Sequence, residues 1–467
     1  MADMTTVTRA DGAELAKSIA AIRYEDLPAD VVTITKLFTL DTLGVIAGAA
    51  KSPGMKEVVA SLEAWETDGL ATLLLGSGKA NPASAALANG AAAHALDFDD
   101  QHDPARVHVF CVVLPAVLAA MEAETRSISG QDLILALAVG VEVFCRLGLA
   151  CYNSLGKGWH PTTALGTISA AAAASKIFGL DEQKTLSALG LAFVQLSGTT
   201  QFIADGALAK RVGPGFAARS GVLAAHLARG GITGPHRFLE GNSGLFNLYE
   251  RGEVKPEIVV DDFAIRWELR DLSMKPFPCC RCTHTAIQLA LELRAQGVKA
   301  TDVKSGVIEL GEVNRKIVGA AFDRTHATPV VHAQFNAAYA FAAALADGEV
   351  TIRSFTPERI TADDVAYAAS IETRSTTDYD ETAIAPARVS ITTHDGRVVS
   401  AEKLTMKGAP DEPMTHDEVL AKFSACLEWG FGATGKPVEH LQEFVKTLDK
   451  QSDGRDVVAL FMKTRSR

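Results

Sequence analysis

The stretch NPASAALANGAAAHALDFDDQHDPARVH, Asn81–His108, changes character at Leu96. Up to that point it is an alanine-rich run, and alanine, the best helix former, favours closely packed helices. From His94 to His108, four aspartates and three histidines fall within fifteen residues. That density of acid, base and potential metal ligand exceeds what a solvated loop needs. The polar cluster therefore lies at or beyond the end of a buried helix. It has no HExxH, no DxDxDG calcium loop and no facial-triad spacing, so it lacks the grammar of a metal site. Two readings stay open. Asp97, Asp99 and Asp100 cap helices and bind arginines, or one Asp and one His act as general acid, base or base-orienter.

Outward from this stretch the first half of the chain reads as helix after helix. VVTITKLFTLDTLGVIAGAA (31–50), CVVLPAVLAAMEAE (111–124), GQDLILALAVGVEVFCRLGLA (130–150) and ALGTISAAAAASKIFG (164–179) are separated by short Gly, Pro and polar punctuation. Several are apolar on nearly all sides, as helices inside a large bundle are. PGFAARSGVLAAHLARGG (214–231) continues the pattern to a Gly pair.

After about residue 260 the texture alternates. FAIRWELR (263–270) and SGVIELG (305–311) read as strands, and ARVSITTHDGRVVSAEKLTM (387–406) as a hairpin turning at Asp395-Gly396. Helices are expected at about 283–296, 332–346 and 356–374, and again from THDEVLAKFSACLEWG (415–430) onward. The fold class is mainly α: an all-helical domain over 1–265, a smaller α/β lid domain over 266–410, and a helical tail over 411–467 that returns to the first.

Three further stretches carry chemistry. In GKGWHPTTALG (156–166), Pro161 suits a first helical turn, which places His160 at a helix N-terminus. Backbone N–H groups there favour a carboxylate and keep a histidine neutral, able to act as a base. In LAKRVGPGFAARSG (208–221), Lys210 and Arg211 precede a Gly-Pro-Gly turn and a helix, and both suit substrate carboxylates. In MKPFPCCRCTHTAIQLALEL (274–293), Lys275 precedes two prolines, and Cys279 and Cys282 form a C-x-x-C. With no second pair, that motif is half a zinc site at most, and its redox context is half met.

Composition closes other routes. The formal net charge of the 467 residues is −11, with no basic tract, so nucleic acid is not an expected partner. An acidic whole can still hold a basic pocket for an anionic substrate. Seven cysteines without a secretory leader point to a reducing cytoplasm. Apolar runs such as Leu133–Val139, broken by Gly140 and Glu142, read as too short to span a membrane. No GxSxG elbow, Walker loop or GxGxxG is present.

Taken in order, DTLGVIAGA (41–49), NGAAAHALDFDDQH (89–102), GWHPTTALG, KRVGPGFAARSG and KPFPCCRCTH (275–284) resemble the MmgE/PrpD family over nearly the whole chain. Its members include 2-methylcitrate dehydratase, cis-aconitate decarboxylase and iminodisuccinate epimerase. The resemblance implies a homodimer that acts on a small di- or tricarboxylate without metal or organic cofactor. It puts Asp97, His108, His160, Lys210 and Lys275 in catalytic positions, with Gln101, His102, Arg211 and Cys280 against substrate. The implied activity is a lyase, dehydratase or decarboxylase. An epimerase of a substituted succinate and a non-catalytic metabolite-binding dimer are the alternatives.

The chain departs from the family pattern in four places. Gln101 stands where Thr is common, Val109-Phe110 replaces Pro-Ser, and Gly213 replaces a histidine. Cys280 stands where dehydratases have Glu and the decarboxylase has His. The epimerase is similar in having a cysteine there and the same Gly-Trp-His-Pro-Thr segment.

Overall fold

A computed structural model describes residues 12–65, 68–380 and 382–465. The chain divides into two compact units. One is helical and takes the residues up to Ala95, Asp99–Leu272 and those from His416 onward; the other takes Leu96–Phe98 and Ser273–Thr415.

The helical unit begins with α1 (Gly12–Ala21), α2 (Ala29–Gly48), α3 (Met55–Glu63), α4 (Pro82–His94), α5 (Phe110–Glu122) and α6 (Gly130–Ala150). It continues through α7 (Pro161–Ile177), α8 (Glu182–Phe193), α9 (Gln201–Ala204), α10 (Ala209–Arg229) and α11 (Leu245–Leu248). Local chemistry sets several starts. The Asn81 side chain accepts the Ser84 N–H at 2.9 Å, and Pro82 fills the first turn of α4. Ser129 and Asp132 form a capping box at α6, and Asp181 caps α8. Pro161 opens α7 with His160 as its N-cap residue, as the sequence suggests.

Small residues let α10 pack closely against α4 and α7. A Cβ on Gly215 would sit 2.2 Å from the Leu87 carbonyl oxygen, and one on Gly221 would sit 2.4 Å from the Ala170 Cβ. Here the reading of Gly213-Pro214-Gly215 as a turn is overturned. The triplet lies inside α10, so Lys210 and Arg211 belong to the helix's first turn. Glycine at 213 and 215 serves close helix approach and not a chain reversal.

Two further expectations need correction. Leu133–Val139, an apolar run that reads as too short to span a membrane, lies within the 21-residue α6, which runs unbroken through Gly140 and Glu142. Helices α2 and α6 are both long and apolar enough to cross a membrane, yet most of each is buried inside the protein (72% and 89%), as in core helices. FAIRWELR forms no strand. The Arg146 guanidinium takes the carbonyls of Ile258, Asp261, Asp262 and Arg266, and Asp262 and Ala264 are left-handed (φ 55° and 64°). Within the stretch, left-handed Ala264 breaks the extended run, the Arg266 carbonyl is taken by the guanidinium, and Glu268–Asp271 forms a 3₁₀ segment.

The α/β unit contains α12 (His284–Ala295), α13 (Glu312–Val318), α14 (Pro329–Gln334), α15 (Ala337–Asp347) and α16 (Pro357–Ile360). Its four-stranded sheet has β1 (Val303–Leu310), β2 (Ile371–Ser375), β3 (Ala387–Thr393) and β4 (Val398–Lys403), in the order β2-β1-β3-β4. Only β1 and β2 pair in parallel. The expected hairpin forms, with Gly396 at φ 88° in its turn. On β3, Ala387, Val389, Ile391 and Thr393 are buried on one face, and the first three share a core with apolar residues of α12 and α15. The helix expected over 356–374 is broken instead into α16, a 3₁₀ segment (Asp363–Ser370) and β2. Pairing with β1 claims the backbone from Ile371 onward.

The tail is α17 (His416–Phe431), α18 (Lys436–Lys446) and α19 (Asp456–Lys463), all in the helical unit. Helix α17 lies along α2, where Lys422 Nζ meets Asp41 Oδ1 at 2.7 Å, both buried.

Candidate active site

In the helical unit the polar cluster grows from the end of α4. His94 is its last residue and has no exposed side-chain surface. Its Nδ1 lies 2.8 Å from Asp99 Oδ2, and its Nε2 lies 2.8 Å from Lys210 Nζ in the first turn of α10. The His108 ring stands edge-on to it, with centroids 4.7 Å apart. His108 Nδ1 is 3.0 Å from the Asp100 carbonyl oxygen and 3.5 Å from Asp99 Oδ2. A carbonyl only accepts, so this bond puts the proton on Nδ1 and leaves Nε2 as the basic nitrogen. At 12% side-chain exposure, His108 is the more open of the two rings.

Asp100 has a different occupation. Its carboxylate accepts the N–H groups of Phe110 (2.9 Å) and Val109 (3.2 Å), which fixes the start of α5. Burial, with Asp99 beside it, pushes its carboxyl well above the usual range. Burial raises the Cys111 thiol likewise, helped by the same two aspartates. Donor atoms of His94, Asp99 and Cys111 lie within 4.8 Å of one another, but both ring nitrogens of His94 already have protein partners.

His160 holds the N-cap position of α7. Its Nδ1 is 2.9 Å from Thr163 Oγ1, and Phe202 stands edge-on at 5.0 Å. Thr163 also explains a departure from the family pattern. A Cβ at 213 would lie 2.5 Å from its Oγ1, so Gly213 and Thr163 go together. Arg211 is buried and donates to the Pro53 carbonyl at 2.8 Å. Gln101 donates to Asp103. His102 accepts the Ala105 N–H on Nδ1 and turns Nε2 toward Glu268, 3.5 Å away. That contact lowers the Glu268 carboxyl below its ordinary range. His102, Glu268 and Asp271 form a separate group of close donors.

The α/β unit holds a second cluster. Lys275, fully buried, donates to Asp97 Oδ1 at 2.6 Å and to the Asp97 carbonyl at 2.9 Å. Asp97 is left-handed, with φ 52°. Aspartate tolerates that region better than most residues, and such backbone strain concentrates at functional sites. Gln334 fastens the segment by donating to the carbonyls of Leu96 (2.8 Å) and Pro278 (3.2 Å), and its own carbonyl takes the Cys280 N–H at 2.9 Å.

The cysteines here are poor thiolates. Cys280 is raised well above its ordinary value by Cys282 and by burial, and burial pushes Cys279 up to about 12. Redox exchange runs through the thiolate, so the raised thiols argue against the redox reading of the C-x-x-C. His284 is pushed well down by burial and by the Arg281 and Lys275 charges.

Each unit thus brings together some of the expected residues: His108 and Lys210 in one, Asp97, Lys275 and Cys280 in the other. His160, Gln101, His102 and Arg211 have partners of their own. His94 and Gln334 were passed over in the sequence, and Asp99, left open there between helix cap and acid/base group, here joins His94 to His108. An imidazole closing an otherwise alanine-only helix end was a usable signal for His94. Gln334 offered none.

An alanine-packed bundle joined to a small mixed-sheet unit, each with a buried cluster of cation and carboxylate, defines a mainly α chain with enzyme-like sites. The chain belongs to the MmgE/PrpD family. The family's N-terminal domain matches residues 13–257 and its C-terminal domain residues 277–450. The chain is 29% identical to cis-aconitate decarboxylase-like protein oryM of Aspergillus oryzae, over 96% of each chain. It is 28% identical to cis-aconitate decarboxylase of Aspergillus terreus over 94% of each. With human cis-aconitate decarboxylase it shares 31% identity over 80% of this chain and 78% of the other.

Proposed function

We propose that the chain is a lyase that decarboxylates a small unsaturated tricarboxylate of the cis-aconitate type. The observation that carries this reading is the buried Asp99–His94–Lys210 chain with His108 at its side. It supplies a fixed cation and a basic imidazole nitrogen in one place.

The chemistry sets the demands. When an allylic carboxylate leaves as CO₂, its C–C electrons form a new double bond and the old one shifts. A proton must then arrive at the far alkene carbon: one proton in, one CO₂ out. No electrons remain on the protein, so the step needs neither metal nor organic cofactor. It needs cations for the remaining carboxylates and a proton donor in place. Lys210 and Arg211 are assigned to carboxylate binding, and His108 and His160 to proton transfer, each worth about 10²–10⁴-fold. By family resemblance, Lys275 binds a carboxylate, Asp97 orients a reacting group, and Gln101, His102 and Cys280 shape specificity.

A second reading, epimerisation of a substituted succinate, is favoured by Cys280 and the Gly158–Thr162 segment. Incubation in deuterium oxide with aconitate, methylcitrate and substituted succinates, followed by NMR, separates the two. CO₂ loss from cis-aconitate supports the lyase. Deuteration of a succinate without net change supports the epimerase, and no reaction across the panel overturns both.

A further inference from the structure

His94 carries more than the packing of a helix end. Its ring sits between a carboxylate and an ammonium group, with Asp99 on Nδ1 and Lys210 on Nε2, each at 2.8 Å. The carboxylate accepts the Nδ1–H, so Nε2 carries the lone pair and accepts from Lys210. We propose that His94 is a positioning residue that reversibly takes a proton from Lys210, so that Lys210 serves the site as a proton carrier as well as a fixed charge.

The step balances. The Lys210 Nζ–H bond breaks, its proton joins His94 Nε2, and the ammonium becomes an amine while the imidazole becomes an imidazolium. Asp99, His94 and Lys210 together keep the same net charge before and after. In a buried, low-dielectric place a shift that conserves net charge costs far less than sending a proton to water. Asp99 stabilises the imidazolium, as a carboxylate behind a histidine does in acid–base triads.

Near this chain, Asp100 lies beside Asp99, Asp41 of α2 acts on Asp99 through space, and Cys111 of α5 and His108 stand close by. His108 reaches the same Asp99 oxygen at a longer distance, so that carboxylate supports one imidazolium at a time.

The inference rests on the reading of Lys210 as a site residue, and its test has one arm that needs no substrate. In the full-length protein labelled with ¹⁵N-histidine, His94 is assigned through its contacts to His108. It is expected to show a protonated Nδ1 and a bare Nε2 near neutral pH; a protonated Nε2 across the accessible pH range overturns the proposal.

The second arm is His94→Gln. Glutamine can still accept from Lys210 through Oε1 but cannot hold a proton. The expected result is a fall in kcat of about 10²-fold or more with KM little changed and one limb of the pH profile lost. Unchanged kcat and pH profile overturn the proposal. Failure of wild-type protein to turn over any carboxylate, with the expected ring state present, removes the function assigned above and leaves the His94–Lys210 coupling standing.

Discussion

Lys275 donates to both the side-chain and the main-chain oxygen of Asp97, at 2.6 and 2.9 Å, and so clasps a residue whose backbone is left-handed. One buried cation neutralises the carboxylate and holds the strained φ together. Lys275→Met is expected to destabilise the protein by about 3–5 kcal/mol, because it leaves a buried carboxylate without its cation. Urea denaturation checks this. Asp97→Asn, which keeps an acceptor for Lys275, is expected to cost less, and equal losses would contradict the clasp.

Glu142 sets a pH dependence of stability. Burial pushes its carboxyl up to about 7 from an ordinary 4.5, against the lowering pull of Arg146. The folded state then binds this proton more tightly than the unfolded chain does. Its contribution to stability is present below about pH 4.5 and is lost as pH rises to about 7. Glu142→Gln is expected to flatten that part of the curve, read by thermal unfolding across pH 4.5–8. A wild-type protein that gains stability over this window through Glu142 would contradict the assignment.

Close helix approach makes its own demand. Gly215→Ala would put a methyl group 2.2 Å from the Leu87 carbonyl oxygen. The cost is expected on the order of 1–3 kcal/mol, since a packed core resists added volume. Because α10 carries Lys210 in its first turn, activity is expected to fall as well. A neutral effect on melting temperature would show that α4 and α10 are not held this tightly.

Cysteine chemistry is expected to be silent. All seven cysteines are buried without disulfides, and the thiols of Cys111, Cys279 and Cys280 are all raised. An aromatic disulfide reagent should titrate almost none in native protein and all seven after guanidinium unfolding. Rapid native reaction at Cys280 would reopen the redox reading.

Much of this architecture was legible in local pattern. The alanine runs, the Pro161 helix start and the Asp395-Gly396 hairpin each declare themselves within a few residues. What escaped depends on distant partners. Gly213-Pro214-Gly215 has the composition of a turn, and only the approach of α4 and α7 explains why it is helix. FAIRWELR alternates like a strand, but Arg146, more than a hundred residues earlier, takes its Arg266 carbonyl, and Glu268–Asp271 turns into a 3₁₀ segment. In the site, Asp97, His108 and Lys210 stood out through family resemblance. His94 did not, because its partner Lys210 lies 116 residues on. Its role is visible only once α4 ends beside the first turn of α10.

The most direct measurement is the reaction of cis-aconitate with wild-type protein in deuterium oxide containing EDTA, followed by proton and carbon NMR. The account expects loss of one CO₂ per molecule and a single deuterium at the carbon that receives the proton, with the rate indifferent to EDTA and lost in Lys210→Met. No CO₂ from wild-type protein, or CO₂ only after a divalent ion is restored, would contradict it.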